Sequence, residues 1–262
     1  MKEKKEIIST VEEKKLNAPN GLAVGILSVL VYIAAAVGVI PAAMALDNGS
    51  TAFGAPLMVM CVLWLCVGWI PFMGVKVIRP NEALVLTLFG KYTGTLKKEG
   101  IFFVNPFSIA VNPASAQKIA SGKNPQEATA PVGKKLSLKA MTLDNKKQKI
   151  NDRDGNPIEI SIVVIWKIAN TAKAVFNVDN YEEYVSIQSD SALRDVAGAY
   201  PYDGDGENVK SLRGSSAEIA GHLRDMLQSR VDDAGIEVIE ARITHLAYAP
   251  EIAAAMLQRQ QA

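Results

Sequence analysis

The sequence of 262 residues has little of what metal binding and catalysis usually require. It holds two histidines, and neither His222 nor His245 has a second ligand at a metal-binding spacing. It also lacks a P-loop, a Gly-x-Ser-x-Gly nucleophile elbow and a dinucleotide fingerprint. We therefore expect no enzyme activity, no catalytic residue, no cofactor and no metal. A hydrolase whose groups converge from distant positions stays as a minor alternative.

The chain also lacks an excess of charge of one sign. Its formal net charge is +1, so no bulk attraction to nucleic acid is expected. Two acidic turns, "NDRDGNPIE" and "YDGDGEN", invite comparison with calcium loops. Aligning Gly155 or Gly206 with the loop glycine puts Ile150 or Pro201 at the first ligand position, where a carboxylate is needed. The first turn is better explained as a β-hairpin turn.

The sequence has only two cysteines, and both lie in one apolar run. On a helix, Cys61 and Cys66 differ by about 7.5 Å in rise alone. That separation exceeds the ~7 Å limit between Cα atoms of a disulfide. We expect both to be ordinary apolar helix residues.

Charge is missing altogether from two long runs near the N-terminus, Gly21–Leu46 and Ala52–Val75. The first would form a helix roughly 39 Å long, enough for a bilayer core of about 30 Å. A buried soluble hairpin is one alternative, although core helices seldom lack charge on every face. A signal peptide cleaved near Ala43–Ala45 is another, but the run is too long for one. The pattern predicts a transmembrane helical hairpin.

The flanking charges predict its orientation. Five lysines precede the first run, and Lys76, Arg79 and Lys91 follow the second, whereas the short loop Asp47–Thr51 has no Lys or Arg. The positive-inside rule then places both ends in the cytoplasm and the loop outside. We expect a multi-pass protein of the cell membrane, in a bacterium the inner membrane, with its folded part cytoplasmic.

The residues that follow the hairpin are first predicted to form strands. Ala83–Phe89 is rich in β-formers, and Gly90 and Gly94 punctuate it as a hairpin would. The segment "GIFFVNPF" then places Phe102, Phe103 and Phe107 close to the membrane anchor. Burial in a core is the plain interpretation. Contact with the inner leaflet is the sharper one, because aromatic rings favour the interface.

Further along, one strand is especially clear. After an expected surface loop at Ser115–Lys135 and two short strands, "IEISIVVIWKI" alternates with a period of two. Its apolar face, which needs a covering layer, carries Ile158, Ile160, Ile162, Val164, Trp166 and Ile168.

Two helices and a strand supply that cover. Tyr181–Ala199 is predicted as one helix and Ser215–Ala234 as another. Ser215 and Glu218 have the capping-box spacing, and Gly235 suits the helix end. An apolar stripe runs along the second helix at Ile219, Leu223, Met226, Leu227, Val231 and Ala234. With a last strand at Ile236–Leu246, the order of elements predicts an α+β domain.

Five segments in order carry a resemblance to a known family. After the apolar hairpin come "RPNEALVLTLFGKYTGTLKKEGIFFVNPF", "NPIEISIVVIWKI", "ALRDVAGAYPYD" and "DDAGIEVIEARITHLAYAPEIAAAMLQRQQA". Over about Lys76 to Ala262 the chain resembles the stomatin/prohibitin/flotillin superfamily, also called SPFH or band 7. With its N-terminal membrane hairpin it is similar to a bacterial group within that superfamily.

The resemblance implies a domain organisation. Residues 1–20 form a cytoplasmic leader, 21–75 the transmembrane hairpin, 76–249 an SPFH/band 7 domain and 250–262 the start of a long helical, coiled-coil region. Pro250 suits the first turn of a helix, and Ile252 and Met256 are neighbours on it. Ile252, Met256 and Leu257 are the expected oligomerisation residues. We expect that the chain is cut, or naturally ends, where that region begins.

The resemblance also implies a function. Relatives form large rings or cages, organise lipid microdomains and often hold or regulate membrane proteases. We expect a membrane-anchored homo-oligomeric scaffold with membrane lipids as partners. The alternative is a regulatory adaptor of a membrane protease or another membrane client.

Overall fold

The computed structural model describes residues 12–114, 134–204 and 210–253. Contacts divide the chain into two units. The hairpin unit consists of Lys14–Val111 with Lys134–Leu136, and the C-terminal unit holds the described residues outside it. The hairpin unit therefore extends past the predicted boundary at residue 75 and includes the first strands of the SPFH-like region.

The hairpin unit begins with three helices: α1 (Gly21–Asp47), α2 (Thr51–Val67) and the short α3 (Ile70–Met73). The segments Gly21–Asp47 and Thr51–Met73 are long and apolar enough to cross a membrane. The second apolar run is interrupted at Gly68, and its last residue, Val75, already belongs to a strand.

Six short strands complete the hairpin unit: β1 (Val75–Ile78), β2 (Glu82–Leu88), β3 (Lys91–Leu96), β4 (Gly100–Phe103), β5 (Ile109–Ala110) and β6 (Leu136–Ser137). β1 pairs with β4, and β2 pairs with β3, β5 and β6. The predicted hairpin at Gly90 is confirmed as the β2–β3 turn. These strands enclose a small core of Ile78, Leu84, Leu86, Leu96 and Val104.

The C-terminal unit is built on a long central strand. Its strands are β7 (Met141–Asp144), β8 (Gln148–Asn151), β9 (Pro157–Ile168) and β10 (Ile236–Tyr248). β9 pairs antiparallel with β10 on one side and with β7 and β8 on the other. The predicted apolar face of β9 is confirmed, since all six of its residues are buried. The Asp154-Gly155 turn joins β8 to β9, as expected of a hairpin.

Helices cover this sheet: α4 (Thr171–Phe176), α5 (Tyr181–Ala199) and α6 (Ser216–Val231), followed by a 3₁₀ turn (Asp232–Ala234). α5 has the predicted bounds. On α6 the predicted stripe is buried except for Met226, which is half-buried. The structure is a mixed helix-and-sheet chain, and the predicted α+β class is confirmed.

One local prediction is wrong. The Ser215 side chain makes no capping hydrogen bond at the start of α6. Glu218, which a capping box would turn back toward Ser215, instead pairs with Lys210. The turn before the helix is closed by Ser211, whose Oγ accepts from the Gly214 amide at 3.0 Å. The spacing of a capping box is present, but the Glu218 side chain has another partner.

Candidate membrane-facing site

Small residues let α1 and α2 approach each other closely. Ala42 and Gly54 are buried between the helices, and a Cβ placed on Gly54 would lie 2.9 Å from the Leu46 amide nitrogen. The Tyr32 hydroxyl also donates to the Leu65 carbonyl at 3.3 Å. Small residues and interhelical hydrogen bonds of this kind hold helices together where lipid replaces water.

The outward surface of the two helices is apolar and exposed. Its large side chains include Leu27, Ile33, Phe53, Met60 and Leu63. A water-soluble domain seldom leaves so large a contiguous apolar surface uncovered. This surface has the character expected of contact with lipid chains.

The two ends of the helical hairpin are fixed to strand β4. We call this region the hairpin root: Pro19–Gly21, Gly74 and Phe102–Val104. The Phe103 amide donates to the Pro19 carbonyl at 3.0 Å, and the Val104 amide donates to the Gly74 carbonyl at 2.9 Å. The segment that enters α1 and the segment that leaves α3 therefore share one strand as their attachment.

The end of the second apolar segment is rich in aromatic side chains. Trp69 is about half exposed, and its indole Nε1 donates to the Cys66 carbonyl at 2.8 Å. Phe72 is exposed one turn later. Aromatic residues of this kind are enriched where a membrane meets water, so the root side of the hairpin has the composition of an interface.

The three predicted interface phenylalanines occupy different environments. Phe102 is half-buried and packs against the small core of the hairpin unit, and Phe103 is half-buried beside Gly74. Phe107 is 62% exposed. The three rings therefore do not form one cluster, and contact of these residues with a leaflet stays a prediction.

Phe89 is an exposed aromatic residue that none of the sequence patterns above pointed to. Its side chain is 85% exposed, and its backbone lies in the left-handed region with φ of +48°. The signal that would have found it is the dipeptide Phe89-Gly90 at a two-residue hairpin turn, a position that normally takes Asn, Asp or Gly.

The predicted oligomerisation residues are only partly visible. Residues 250–253 are helical, as the position of Pro250 predicts, and Ile252 is half-buried. Met256 and Leu257 lie outside the described residues. Their role in oligomerisation stays a prediction.

Within residues 12–114, 134–204 and 210–253, no group of three or more His, Cys, Asp or Glu residues could hold a metal ion. His222 is exposed, with Nδ1 3.1 Å from the Tyr200 hydroxyl. Cys61 and Cys66 are not bonded to each other, as predicted.

The carboxylate of Asp152, in the first of the two acidic turns, accepts hydrogen bonds from three backbone amides. One oxygen accepts from the backbone amides of Asp154 and Asn156, at 3.0 and 2.8 Å. The other accepts from the backbone amide of Tyr202 at 3.0 Å. This buried side chain therefore organises the β8–β9 turn by hydrogen bonding.

The pKa shifts come from ion pairs and from burial. A hydrogen bond from Lys135 lowers the pKa of Glu82, and one from Lys149 lowers the pKa of Glu251. Burial raises the pKa of Tyr181 to about 12. None of these groups forms a nucleophile–base pair with another, which is the arrangement that would mark a catalytic site.

An open groove of about 530 Å³ runs between α6 and β10. Its lining includes Ala217, Gly221, Arg224, Ile239 and Arg242. Each arginine already pairs with an acidic neighbour on its own element. The lining provides no nucleophile with an adjacent base.

Comparison with known proteins agrees with this geometry. The SPFH domain / Band 7 family matches residues 76–262, which is more than half of the chain. The chain belongs to the SPFH domain / Band 7 family. The matched region begins within β1, directly after the apolar hairpin, so the earlier resemblance is confirmed.

Two relatives are similar over most of this SPFH chain. Stomatin of Mus musculus is 20% identical over 201 residues, covering 76% of this chain and 58% of stomatin. An uncharacterized protein of Methanothermobacter thermautotrophicus is 23% identical over 206 residues, covering 79% of this chain and 55% of that protein. The chain thus spans little more than half the length of these relatives. SPFH proteins are generally membrane-associated and non-enzymatic.

Proposed function

We propose that this SPFH protein is a membrane-anchored oligomeric scaffold that organises membrane microdomains or protein complexes. The observation that carries the proposal is the family match over residues 76–262, which begins where two membrane-length apolar helices end.

The proposed arrangement puts both ends of the hairpin on the cytoplasmic side of the cell membrane, in a bacterium the inner membrane. The hairpin turn at Asn48-Gly49 carries no basic residue, whereas lysines precede α1 and follow α3. The root, with its exposed Trp69 and Phe72, would lie at the inner leaflet, and Phe102, Phe103 and Phe107 would lie near it. Membrane lipids are then the first partner.

Assembly follows from this anchoring. A domain held at one depth and one orientation in a bilayer meets its copies at a raised effective concentration, so modest lateral contacts suffice. We assign part of that contact to the helix beginning at residue 250, through Ile252, Met256 and Leu257. The product would be a ring or cage of identical subunits.

Electron microscopy of the protein extracted from membranes in mild detergent tests this proposal. Closed rings or cages are expected, and a monomer at every concentration would refute it. Ile252→Asp combined with Met256→Asp should reduce assembly, because both changes place charge on the proposed contact face. Gln258→Asp, which adds one such charge at a position that a continued helix would turn away from Ile252 and Met256, should leave assembly intact.

Affinity isolation separates the scaffold from the regulatory adaptor. A scaffold brings down mainly its own copies and lipid. A membrane protease or other client recovered at a fixed ratio to the SPFH chain would favour the adaptor.

A further inference from the structure

β10 is an edge strand of the C-terminal sheet. β9 pairs with one side of it, and no strand among the described residues pairs with the other side. The strand is long, from Ile236 to Tyr248. An unpaired edge presents backbone N–H and C=O groups that can bind another extended chain. The free side of β10 is therefore a place where a further strand can be added.

A side chain of α6 closes the first part of this edge. Gln228 Nε2 donates to the Ile236 carbonyl at 2.9 Å, and the Val238 amide donates to Gln228 Oε1 at 2.7 Å. The Gln228 amide thus takes the place that a neighbouring strand would take. Directly after Val238, a bulge shifts the pairing with β9, so Gln228 covers the edge over Ile236–Val238.

The stretch after this bulge is regular. Glu240–Ile243 pairs with β9 residue by residue, from Glu240 opposite Ile165 to Ile243 opposite Ile162, before a second bulge. Successive residues of an antiparallel strand direct their N–H and C=O groups alternately to the two sides. Two of these four residues therefore present their backbone groups to the free side of the strand.

The groove between α6 and β10 runs along this stretch. Its strand side is formed by residues 239–243. Its helix side carries small residues at helical spacing, Ala217, Ala220 and Gly221. A Cβ on Gly221 would meet nothing within 4 Å, and Ile239 is 42% exposed. The small side chains leave a space of about 530 Å³ beside the free edge, and an extended segment placed there can pair with β10 and bury Ile239.

The N-terminal leader reaches the C-terminal unit at the beginning of this strand. Glu13 belongs to that unit, and its carboxylate accepts from the Thr171 hydroxyl. Thr171 is completely buried at the start of α4. The amide of the preceding residue, Asn170, donates to the Gly235 carbonyl at 2.9 Å, and Gly235 directly precedes β10. The leader therefore arrives beside the residue from which β10 starts.

The length of the leader suffices to reach the groove. Residues 1–11 lie outside the described residues, and an extended segment of that length spans at most about 36–40 Å. Ile243 is eight positions after Gly235, which is roughly 27 Å along a strand. Because the leader runs toward Glu13, a leader segment on this edge is antiparallel to β10.

The composition of leader residues 6–11, "EIISTV", suits a strand. Ile7, Ile8, Thr10 and Val11 are β-branched, and β-branched side chains pack well on a pleated surface. The leader is also held to the same unit through Glu13, which gives it a higher effective concentration at the groove than a separate chain has. This attachment favours the leader over a second copy as the occupant.

We propose that leader residues 6–11 occupy the groove between α6 and β10 and add an antiparallel strand to β10 at Glu240–Ile243. The added strand covers an edge that is otherwise open to pairing with another chain. The inference goes beyond the proposed function, because it gives the leader a binding site on the SPFH domain and does not require rings or cages.

Thiol cross-linking in the full-length protein tests where the leader lies. With Cys61→Ala and Cys66→Ala, Ser9→Cys is combined with Gly221→Cys in the groove, and a short bis-maleimide is added to the protein in detergent. Gly198→Cys on α5 replaces Gly221→Cys in the matched control, because a Cβ at Gly198 also meets nothing within 4 Å.

We expect an intramolecular link between positions 9 and 221, identified by mass spectrometry in the band of monomer mass on a denaturing gel. Its yield should be roughly tenfold above that at position 198, since docking raises the local concentration of the two thiols. A link found only in a band of dimer mass would place a second copy in the groove and overturn the proposal. Equal yields at positions 221 and 198 would overturn it as well.

Hydrogen exchange tests whether the contact is a ladder of backbone hydrogen bonds. Ile8→Pro and Ser9→Pro are compared with Lys2→Pro, which lies outside residues 6–11. Neighbouring residues of a strand direct their N–H groups to opposite sides, so one of the first two prolines removes a ladder hydrogen bond. In that variant the amides of Glu240–Ile243 should exchange roughly tenfold faster than in the parent, while those of β9 keep their protection. Unchanged exchange at Glu240–Ile243 in both variants would refute the strand addition.

Electron microscopy of the cross-linked preparations keeps this inference apart from the proposed function. Monomeric protein that still carries the link between positions 9 and 221 would refute the scaffold and leave the leader site standing. Rings or cages without that link would refute the leader site and leave the scaffold standing.

Discussion

Gly74 and Val104 are in such close contact that a Cβ on Gly74 would lie 2.4 Å from the Val104 carbonyl oxygen. The Val104 amide also donates to the Gly74 carbonyl at 2.9 Å. Gly74 ends α3, and Val104 follows β4. This pair therefore joins the membrane-length helices to the small sheet of the hairpin unit, and only a residue without a side chain fits there.

Gly74→Ala should destabilise the hairpin root. The φ of Gly74 is −79°, which alanine adopts freely, so the effect comes from packing alone. Overpacking of this kind costs about 1–3 kcal/mol. Thermal unfolding in detergent, followed by the fluorescence of Trp64 and Trp69, measures it. Gly25→Ala is the matched control, because nothing lies within 4 Å of its new Cβ. An equal loss in both variants would contradict the role of the root.

Gly235→Ala should destabilise the C-terminal unit more strongly. Gly235 has φ of +67°, and a Cβ there would lie 2.4 Å from the Asn170 carbonyl oxygen. Backbone strain and overpacking together cost about 2–4 kcal/mol. Chemical denaturation, monitored through a probe of the C-terminal unit such as Trp166, measures the loss of unfolding free energy.

Gly221→Ala provides the comparison for that experiment. Gly221 lies within α6, and its added Cβ would meet nothing within 4 Å. Alanine is the better helix former by about 1 kcal/mol, so this variant should be slightly more stable than the parent. If both substitutions changed stability in the same direction, the special role of Gly235 would be disproved.

Ile162→Ala should be costly because the side chain is completely buried at the centre of β9. Removing a large aliphatic side chain from a core lowers the free energy of unfolding by about 2–5 kcal/mol. Ile187→Ala on α5 removes the same atoms from a side chain that is mostly exposed. Its effect on the denaturation midpoint should be small, and a comparable loss would place Ile187 in a contact that the structure does not have.

Stability of the hairpin unit should fall in acid through Glu82. The Lys135 hydrogen bond holds the pKa of Glu82 below its ordinary value of 4.5. A carboxyl with a lowered folded pKa stabilises the fold above its unfolded pKa, and this contribution disappears as pH falls through the folded value. Both side chains are partly exposed, so the pair contributes at most about 1 kcal/mol.

Glu82→Gln should therefore lower stability at neutral pH and have no effect once the pH is below the lowered pKa. Glu99→Gln, at an exposed position, controls for the loss of one negative charge. Denaturation curves of both variants and of the parent, recorded at neutral pH and at a pH below the lowered pKa of Glu82, give the free energies of unfolding to be compared. A Glu82→Gln effect of the same size at both would rule out the Lys135 pair as its cause.

Much of the C-terminal unit could be predicted because its patterns are local and regular. The alternation along β9 predicted the six apolar side chains of its buried face, and the helical period predicted the stripe on α6. The bounds of α5 were predicted as well. The end of α6 was less regular, since a 3₁₀ turn at Asp232–Ala234 separates the helix from Gly235. The capping box failed because Glu218 has a better-placed partner in Lys210.

The hairpin root could not be predicted from the sequence. It depends on the pairing of β1 with β4 and on contacts between Pro19 and Phe103, which are far apart in the chain. The segment "GIFFVNPF" indicated aromatic rings near the membrane but not that Phe102 would face the small core. Phe89 is distinguished by a positive φ angle and by its exposure, which depend on the folded β2–β3 turn.

The central claim is that the apolar hairpin crosses the membrane as a pair and leaves the SPFH domain in the cytoplasm. The most direct test uses full-length protein with Cys61→Ala and Cys66→Ala, carrying either Asn48→Cys or Gly155→Cys, and a membrane-impermeant thiol reagent. Asn48 should react in cells whose outer barriers are opened but whose inner membrane is intact, and Gly155 only after lysis. Reaction at Gly155 in intact cells, with Asn48 protected until lysis, would contradict the account.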